Sequence, residues 1–275
     1  MNQPLFILAI FISLPFNLSW AQGGRYFVGG RTAGLSDASV TLRDSYSFFH
    51  NPAALAFTEG LTLSGAYHNR SGWEGVHTAA ASVAGNWRGL GWGAGAYRFG
   101  DAIYREQWLG MGVGYHMGLA SVGAKINWLQ YAIENFGRRH VPMLEVGGWA
   151  EITPHWQVGG YLSNLNLARL SQTTGERVPT LMKLGLAHLP LPNLTLLAEV
   201  QQALGQPTVA ILAVEYAPLS HLWLRSGAQL THRNFSLGLG YQAGAYRIDY
   251  GLMAYANTGL GHQLSLSRPW HLAKP

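Results

Sequence analysis

From residue 60 onward the chain alternates apolar and polar residues with a period of two. NFSLGLGYQ, residues 234–242, sets Phe235, Leu237, Leu239 and Tyr241 on one face and Asn234, Ser236, Gly238, Gly240 and Gln242 on the other. YRIDYGLMAY follows the same rule, with Tyr246, Ile248, Tyr250 and Leu252 opposite Arg247, Asp249, Gly251 and Met253. With these as templates the pattern predicts fourteen strands, near 60–69, 75–87, 90–100, 105–116, 119–131, 141–152, 156–164, 179–188, 193–202, 208–216, 221–230, 234–242, 246–256 and 259–270. One strand with its connection takes about fifteen residues, which fits spanning strands of ~9–11 residues joined by short turns. Residues 167–178 read as the single longer loop. No 3.6-residue periodicity persists and no run of eighteen apolar residues follows the N-terminal stretch, so no transmembrane helix is expected there.

Which face meets which medium decides the fold class. The polar face carries glycine together with charge: Lys125, Glu145, Glu151, Lys183, Glu199, Glu215, Arg225, Arg247 and Asp249 all fall at alternate positions inside strands. The other face is almost wholly aliphatic or aromatic. In a soluble sandwich that apolar face would be the core, and the surface would need many more charges. Charged residues are only 11% of the chain, where about a quarter is usual. Something other than water covers much of the surface. The expected fold is all-β: a transmembrane antiparallel up-and-down barrel of about 14 strands with its apolar face on outer-membrane lipid. Lys183, Glu199, Glu215, Arg225, Arg247 and Asp249 then face the lumen and pair across strands. Trp73, Trp92, Trp108, Trp128, Trp156, Trp223 and Trp270, near strand ends, suit interfacial aromatic girdles.

Residues 1–21 join an apolar run to a small-residue end and read as a signal peptide cleaved after Ala21, although no Lys or Arg precedes Arg25. Pro15 and the shortness of the run argue against a membrane anchor. The chain has no cysteine, so its stability rests on burial and closed hydrogen bonding. The net charge of +5 is spread without a basic run, which argues against nucleic acid as a partner. Arg138, Arg139 and His140, the densest basic spot, read as a solvated turn.

The eleven histidines form neither an HExxH nor a His-x-His pair, and His68 with His77 merely flank one turn; no metal site is expected. SGWEG and LSDAS hold Ser near acids, yet no GxSxG elbow occurs. His188 and His262 fall on outward registers without a serine partner. Catalytic residues and cofactors are therefore not expected. GWGAG and GMGVG lie within strands, where they are not phosphate loops but let the wall pack closely.

SYSFFHNPAALAF, residues 45–57, breaks the alternation. Asn51 is placed to cap a short helix with Pro52 at its first position, and a helix that short needs support from something larger. Residues 29–57 resemble the start of the PorV/PorQ family, itself similar to the FadL transporters. The resemblance lies in the small-residue run 31–40, the acidic turn Arg43-Asp44-Ser45 and the Asn-Pro-Ala-x-Leu-Ala box 51–56. LRSGAQL, FSLGLGYQ, IDYGL and GLGHQLSLS resemble the family's closing strands. The resemblance implies a FadL-like barrel over 59–270, an N-terminal hatch over 22–58 tucked into its end with Asn51, Pro52, Ala53 and Leu55 at its centre, and a short tail at 271–275. It also implies a non-catalytic accessory role in type IX secretion, binding a translocon or exported cargo. The alternative it carries is FadL-like transport of a hydrophobic small molecule, for which the Gly-rich, charged lumen face lacks an evident apolar pocket. Ala54 replaces the family's usual glycine, and the loops are shorter than in cargo-handling members.

Overall fold

In the computed structural model the described residues are 27–71, 75–135, 137–170 and 177–270; Ala21 with the stretch read as a signal peptide, Trp73 and residues 271–275 lie outside them. Fourteen strands run in order: β1 (Leu61–Arg70), β2 (His77–Trp87), β3 (Leu90–Gly100), β4 (Tyr104–Met117), β5 (Ala120–Ile133), β6 (Gly137–Thr153) and β7 (Trp156–Leu162). They continue as β8 (Leu181–Leu191), β9 (Leu194–Ala203), β10 (Val209–Leu219), β11 (Leu222–Gln229), β12 (Asn234–Ala243), β13 (Tyr246–Tyr255) and β14 (Gly259–Trp270). Each pairs antiparallel with its sequence neighbours, and β1 pairs with β14 from Leu61↔Trp270 to Arg70↔Gly261, which closes the barrel. Among the described residues no helix is long and apolar enough to cross a membrane. The crossing elements are strands.

The two rims differ. At the rim where β1 begins and β14 ends, all six connections are two-residue turns, 88–89, 118–119, 154–155, 192–193, 220–221 and 244–245. In the first of these, positive φ at Arg88 (53°) and Gly89 (86°) gives the twist that a two-residue hairpin requires. At the opposite rim the connections are longer, up to the stretch 163–180 between β7 and β8. Short turns mark the periplasmic rim of outer-membrane barrels, so the long-loop rim faces outward from the cell. β6 starts at Gly137, and Arg138, Arg139 and His140 pair with Ala132, Tyr131 and Gln130. The basic spot read as a turn is therefore strand, because the β5–β6 hairpin extends past the apolar band.

Exposure runs opposite to that of a water-soluble protein. Leu184 is 69% and Met111 66% exposed, whereas Glu145 and Asp249 are each 2% exposed. The apolar side of every strand faces out, where hydrocarbon takes the place of water as the contacting medium. Trp92, Trp128, Trp156 and Trp270 lie on outward registers. Trp108 and Trp223 do not: each shares strand parity with buried charges, Glu106 and Arg225, and points into the lumen. Both are corrections to the girdle assignment.

The lumen is filled by the chain's own start. After α1 (Gly30–Gly34) and α2 (Ser47–His50), a short 3₁₀ helix at Pro52–Phe57 leads to β1. The segment sweeps round the inner wall, touching Asp249 of β13, Gly238 of β12, Gly227 of β11, Gly185 of β8, Gly159 of β7, Gly123 of β5 and Gly91 of β3 in turn. A Cβ on Gly91 would lie 2.0 Å from the Leu55 carbonyl oxygen, and one on Gly123 2.3 Å from the Pro52 carbonyl carbon. The glycines on the lumen face are the seat of this segment.

Candidate functional site: a latched lumen below a vestibule

Asn51 fixes the tightest bend of the luminal segment. Its side-chain oxygen accepts from the Ala53 N–H at 3.1 Å, and its amide donates to the carbonyls of Val40 (2.8 Å) and of Gly148 in the wall (3.0 Å). One side chain thus ties the turn to itself, to the earlier part of the segment and to the wall. Pro52, Ala53 and Leu55 are buried between this cap and the glycines of β3–β6. Next to them Phe48 and Phe49 pack on Trp108, which stacks on Tyr97, and Leu129 and Met143 complete an apolar cluster. His50 donates from Nε2 to the Val28 carbonyl at 2.7 Å. Burial pushes its imidazole down to about 4, against the pull of Asp44, so the ring is neutral.

The other side of the lumen is ionic. Arg31 bonds Asp44 at 3.0 Å and Glu215 at 2.6 Å. Glu215 also takes Arg225 at 2.5 Å, directly across the β10–β11 ladder. Arg225 reaches over β12 to Asp249 at 2.8 Å, and Asp249 takes Arg247 at 3.2 Å. Gly240 lies between them; a Cβ there would be 2.5 Å from the Asp249 carboxylate and 2.6 Å from the Arg225 guanidinium. Arg247 in turn covers the ring of Trp223 at 4.2 Å. A second cluster joins Lys183 to Asp37 (3.1 Å) and Glu199 (3.8 Å), while Glu199 accepts the backbone N–H groups of Ser39 and Val40. A third sets Lys125 against Glu145 at 2.7 Å, with Asn127 and Tyr161 donating to the same carboxylate. Lys183, Glu199, Glu215, Arg225, Arg247 and Asp249 thus all lie on the lumen face. Their partners on the luminal segment, Arg31, Asp37 and Asp44, drew no such role from the sequence.

Beside the Lys125–Glu145 pair and His50 the free space is about 20 Å³, room for about one water molecule. Above the segment, at the long-loop rim, a vestibule of about 850 Å³ opens. Phe27 and Asp37 form its floor; Tyr97, Phe99, Tyr104, Met253 and Tyr255 stand in its walls among His68, Arg70 and Glu106. Phe27 meets the His68 ring at 5.5 Å, the Arg70 guanidinium covers Tyr255 at 4.0 Å, and the Tyr104 hydroxyl donates to Glu106. This aromatic chamber was not evident from the lumen face read strand by strand. His68 points inward and His77, stacked on Tyr67, outward by register, so the two do not make a common ligand pair. His188 stacks on Trp156 and His262 accepts from or donates to Tyr250, both on the outer face.

No family model and no curated protein sequence matches the chain. Solved structures do. The Pseudomonas putida toluene transporter TodX superposes with a TM-score of 0.67 at 12% identity, covering 88% of this chain and 98% of that one. The Ralstonia pickettii toluene transporter TbuX gives 0.65 at 11%, covering 88% and 98%, and the monoaromatic hydrocarbon channel CymD gives 0.63 at 10%, covering 90% and 98%. At such identities the likeness establishes the fold. The chain is a bacterial outer-membrane β-barrel with the FadL-like arrangement of fourteen strands.

Proposed function

We propose that this barrel takes up a small hydrophobic compound across the outer membrane, without chemistry of its own. Asp37 carries the reading. It belongs at once to the floor of the aromatic vestibule and to the Lys183–Glu199 cluster that holds the luminal segment. Ser36 and Asp37 both have left-handed backbone, φ 56° and 74°, a conformation that the surrounding contacts must hold in place. A ligand pressing on the vestibule floor therefore bears directly on the latch. The vestibule lies within the ~300–1,000 Å³ usual for small-molecule sites and combines aromatic walls with a few polar groups. The FadL-like neighbours, described as toluene transporters and monoaromatic hydrocarbon channels, support the same reading.

A docking role in type IX secretion draws support from the chain-end resemblance alone. The experiment that separates the two is purification of the tagged full-length protein from outer membranes in mild detergent, with bound proteins and extractable small molecules identified in one sample. The expected result is the barrel alone with a hydrophobic or aromatic compound, and saturable uptake of labelled toluene or fatty acid by cells expressing it. Recovery of a translocon or exported proteins without such a compound would overturn it.

A further inference from the structure

The outer wall is not uniform round the barrel. Near the long-loop rim, outward positions on most strands are apolar, for example Met182 on β8, Leu212 on β10, Phe235 on β12 and Leu260 on β14. On β3–β6 the outward positions toward that rim are basic and polar. Arg98, Gln107, Gln130 and His140 are successive cross-strand partners on the outer face, and Gln107 donates to Gln130. One step nearer the rim, Arg105 and Arg138 flank Ala132. One step below the row come Ala81, Ala96, Leu109 and Trp128, again in direct register. Three small alanines, Ala79, Ala81 and Ala96, beside the large Trp128 leave a hollow of about 480 Å³ in the lipid-facing wall.

We propose that this quadrant holds one phosphorylated glycolipid of the outer leaflet, its phosphates on Arg98, Arg105 and Arg138 and an acyl chain in the alanine hollow. No carboxylate pairs with these three arginines among the described residues. Glu106 points to the other side of the wall, and Asp101 is engaged by the backbone N–H groups of Ile103 and Tyr104. Guanidinium groups suit phosphate by bidentate hydrogen bonding, and a cation just above an apolar band meets the headgroup layer of the membrane. Trp128 below the row is the residue type that sits at that boundary. The charge selects the headgroup, and the hollow directly beneath it selects a lipid over a free anion.

The test uses the full-length barrel in nanodiscs, titrated with lipid A, with dephosphorylated lipid A and with inorganic phosphate, and read by native mass spectrometry of the retained adduct. Wild type should keep one lipid A per barrel. The triple variant Arg98→Gln, Arg105→Gln, Arg138→Gln should lose retention by roughly two orders of magnitude, since each basic residue near an anionic surface contributes separately. Ala96→Leu fills the hollow and should weaken lipid A without altering charge, while Arg88→Gln at the opposite rim should change nothing. Retention of dephosphorylated lipid A equal to that of lipid A, or an unchanged triple variant, would overturn the proposal. Displacement by inorganic phosphate at equal concentration would assign the arginines to a free anion instead. Intact folding of every variant is checked by its heat-dependent gel mobility.

Discussion

The two halves of the luminal segment are held by different forces. Residues 30–44 lie against β6–β14 and are tied by Arg31, Asp37 and Asp44 to charges on the wall. Residues 45–57 lie against β1–β6 and are tied by packing: Phe48 and Phe49 on Trp108, Leu55 over Gly91 and Pro52 over Gly123. Both halves are buried, yet they resist different insults. Ion pairs exchange for water as soon as water enters, with modest net cost, whereas unpacking an aromatic cluster exposes area and leaves a cavity. On the uptake reading proposed above, the ionic half is the part that yields, and it joins the packed half at residues 44–45.

The largest expected effect comes from removing the seat of the packed half. Gly123→Leu forces side-chain atoms into the space of the Pro52 and Ala53 backbone, so residues 45–57 must leave the wall. Protease should then cut within that stretch, and ion conductance should appear in planar bilayers; a silent, resistant variant would contradict the seat. Next in size, Trp108→Ala should cost about 3–5 kcal/mol by opening a cavity under Phe48 and Phe49. The thermal transition of the folded band on gels measures it, and a shift no larger than that of a lipid-facing control would show the cluster to be slack.

Arg31→Ala tests the ionic half. Asp44 loses its ion-pair partner and Glu215 keeps only Arg225, a loss of about 3 kcal/mol on the scale of broken buried pairs. Hydrogen exchange should rise over residues 30–44 and stay unchanged over 48–57; equal loosening of both halves would show that one set of contacts holds them both. The smallest effect concerns pH. The folded His50 titrates at about 4, below its ordinary 6.5, so its contribution is complete above pH 6.5 and is lost as pH falls toward 4. Exchange protection around His50 should decline over that window in wild type and not in His50→Gln. A profile flat to pH 4 in both proteins would show that burial of the neutral ring is not what holds this turn.

Much of this was legible beforehand, and the misses are specific. The strand at 90–100 and the one at 259–270 coincide with β3 and β14, because alternation is a local property that survives any arrangement of neighbours. Asn51 and Pro52 announced a capped turn for the same reason, the cap being closed within two residues. Trp108 and Trp223 share strand parity with Glu106 and Arg225, which turns them inward; residue type alone points to the girdle, and register overrides it. The start of β6 is not legible in the charges of Arg138–His140, because its pairing with β5 is a contact between strands.

The sequence by itself determined a closed barrel, its strand number and which face meets lipid, since a spanning strand must repeat every two residues and leave no backbone group unpaired. Only the tertiary structure decided what fills the lumen. Arg31 finds Glu215 at a separation of 184 residues, and Gly30 finds Ser265 at 235. Contacts of that range leave no periodic trace in either stretch, because each partner is chosen by where the closed wall carries it and not by what stands beside it in the chain.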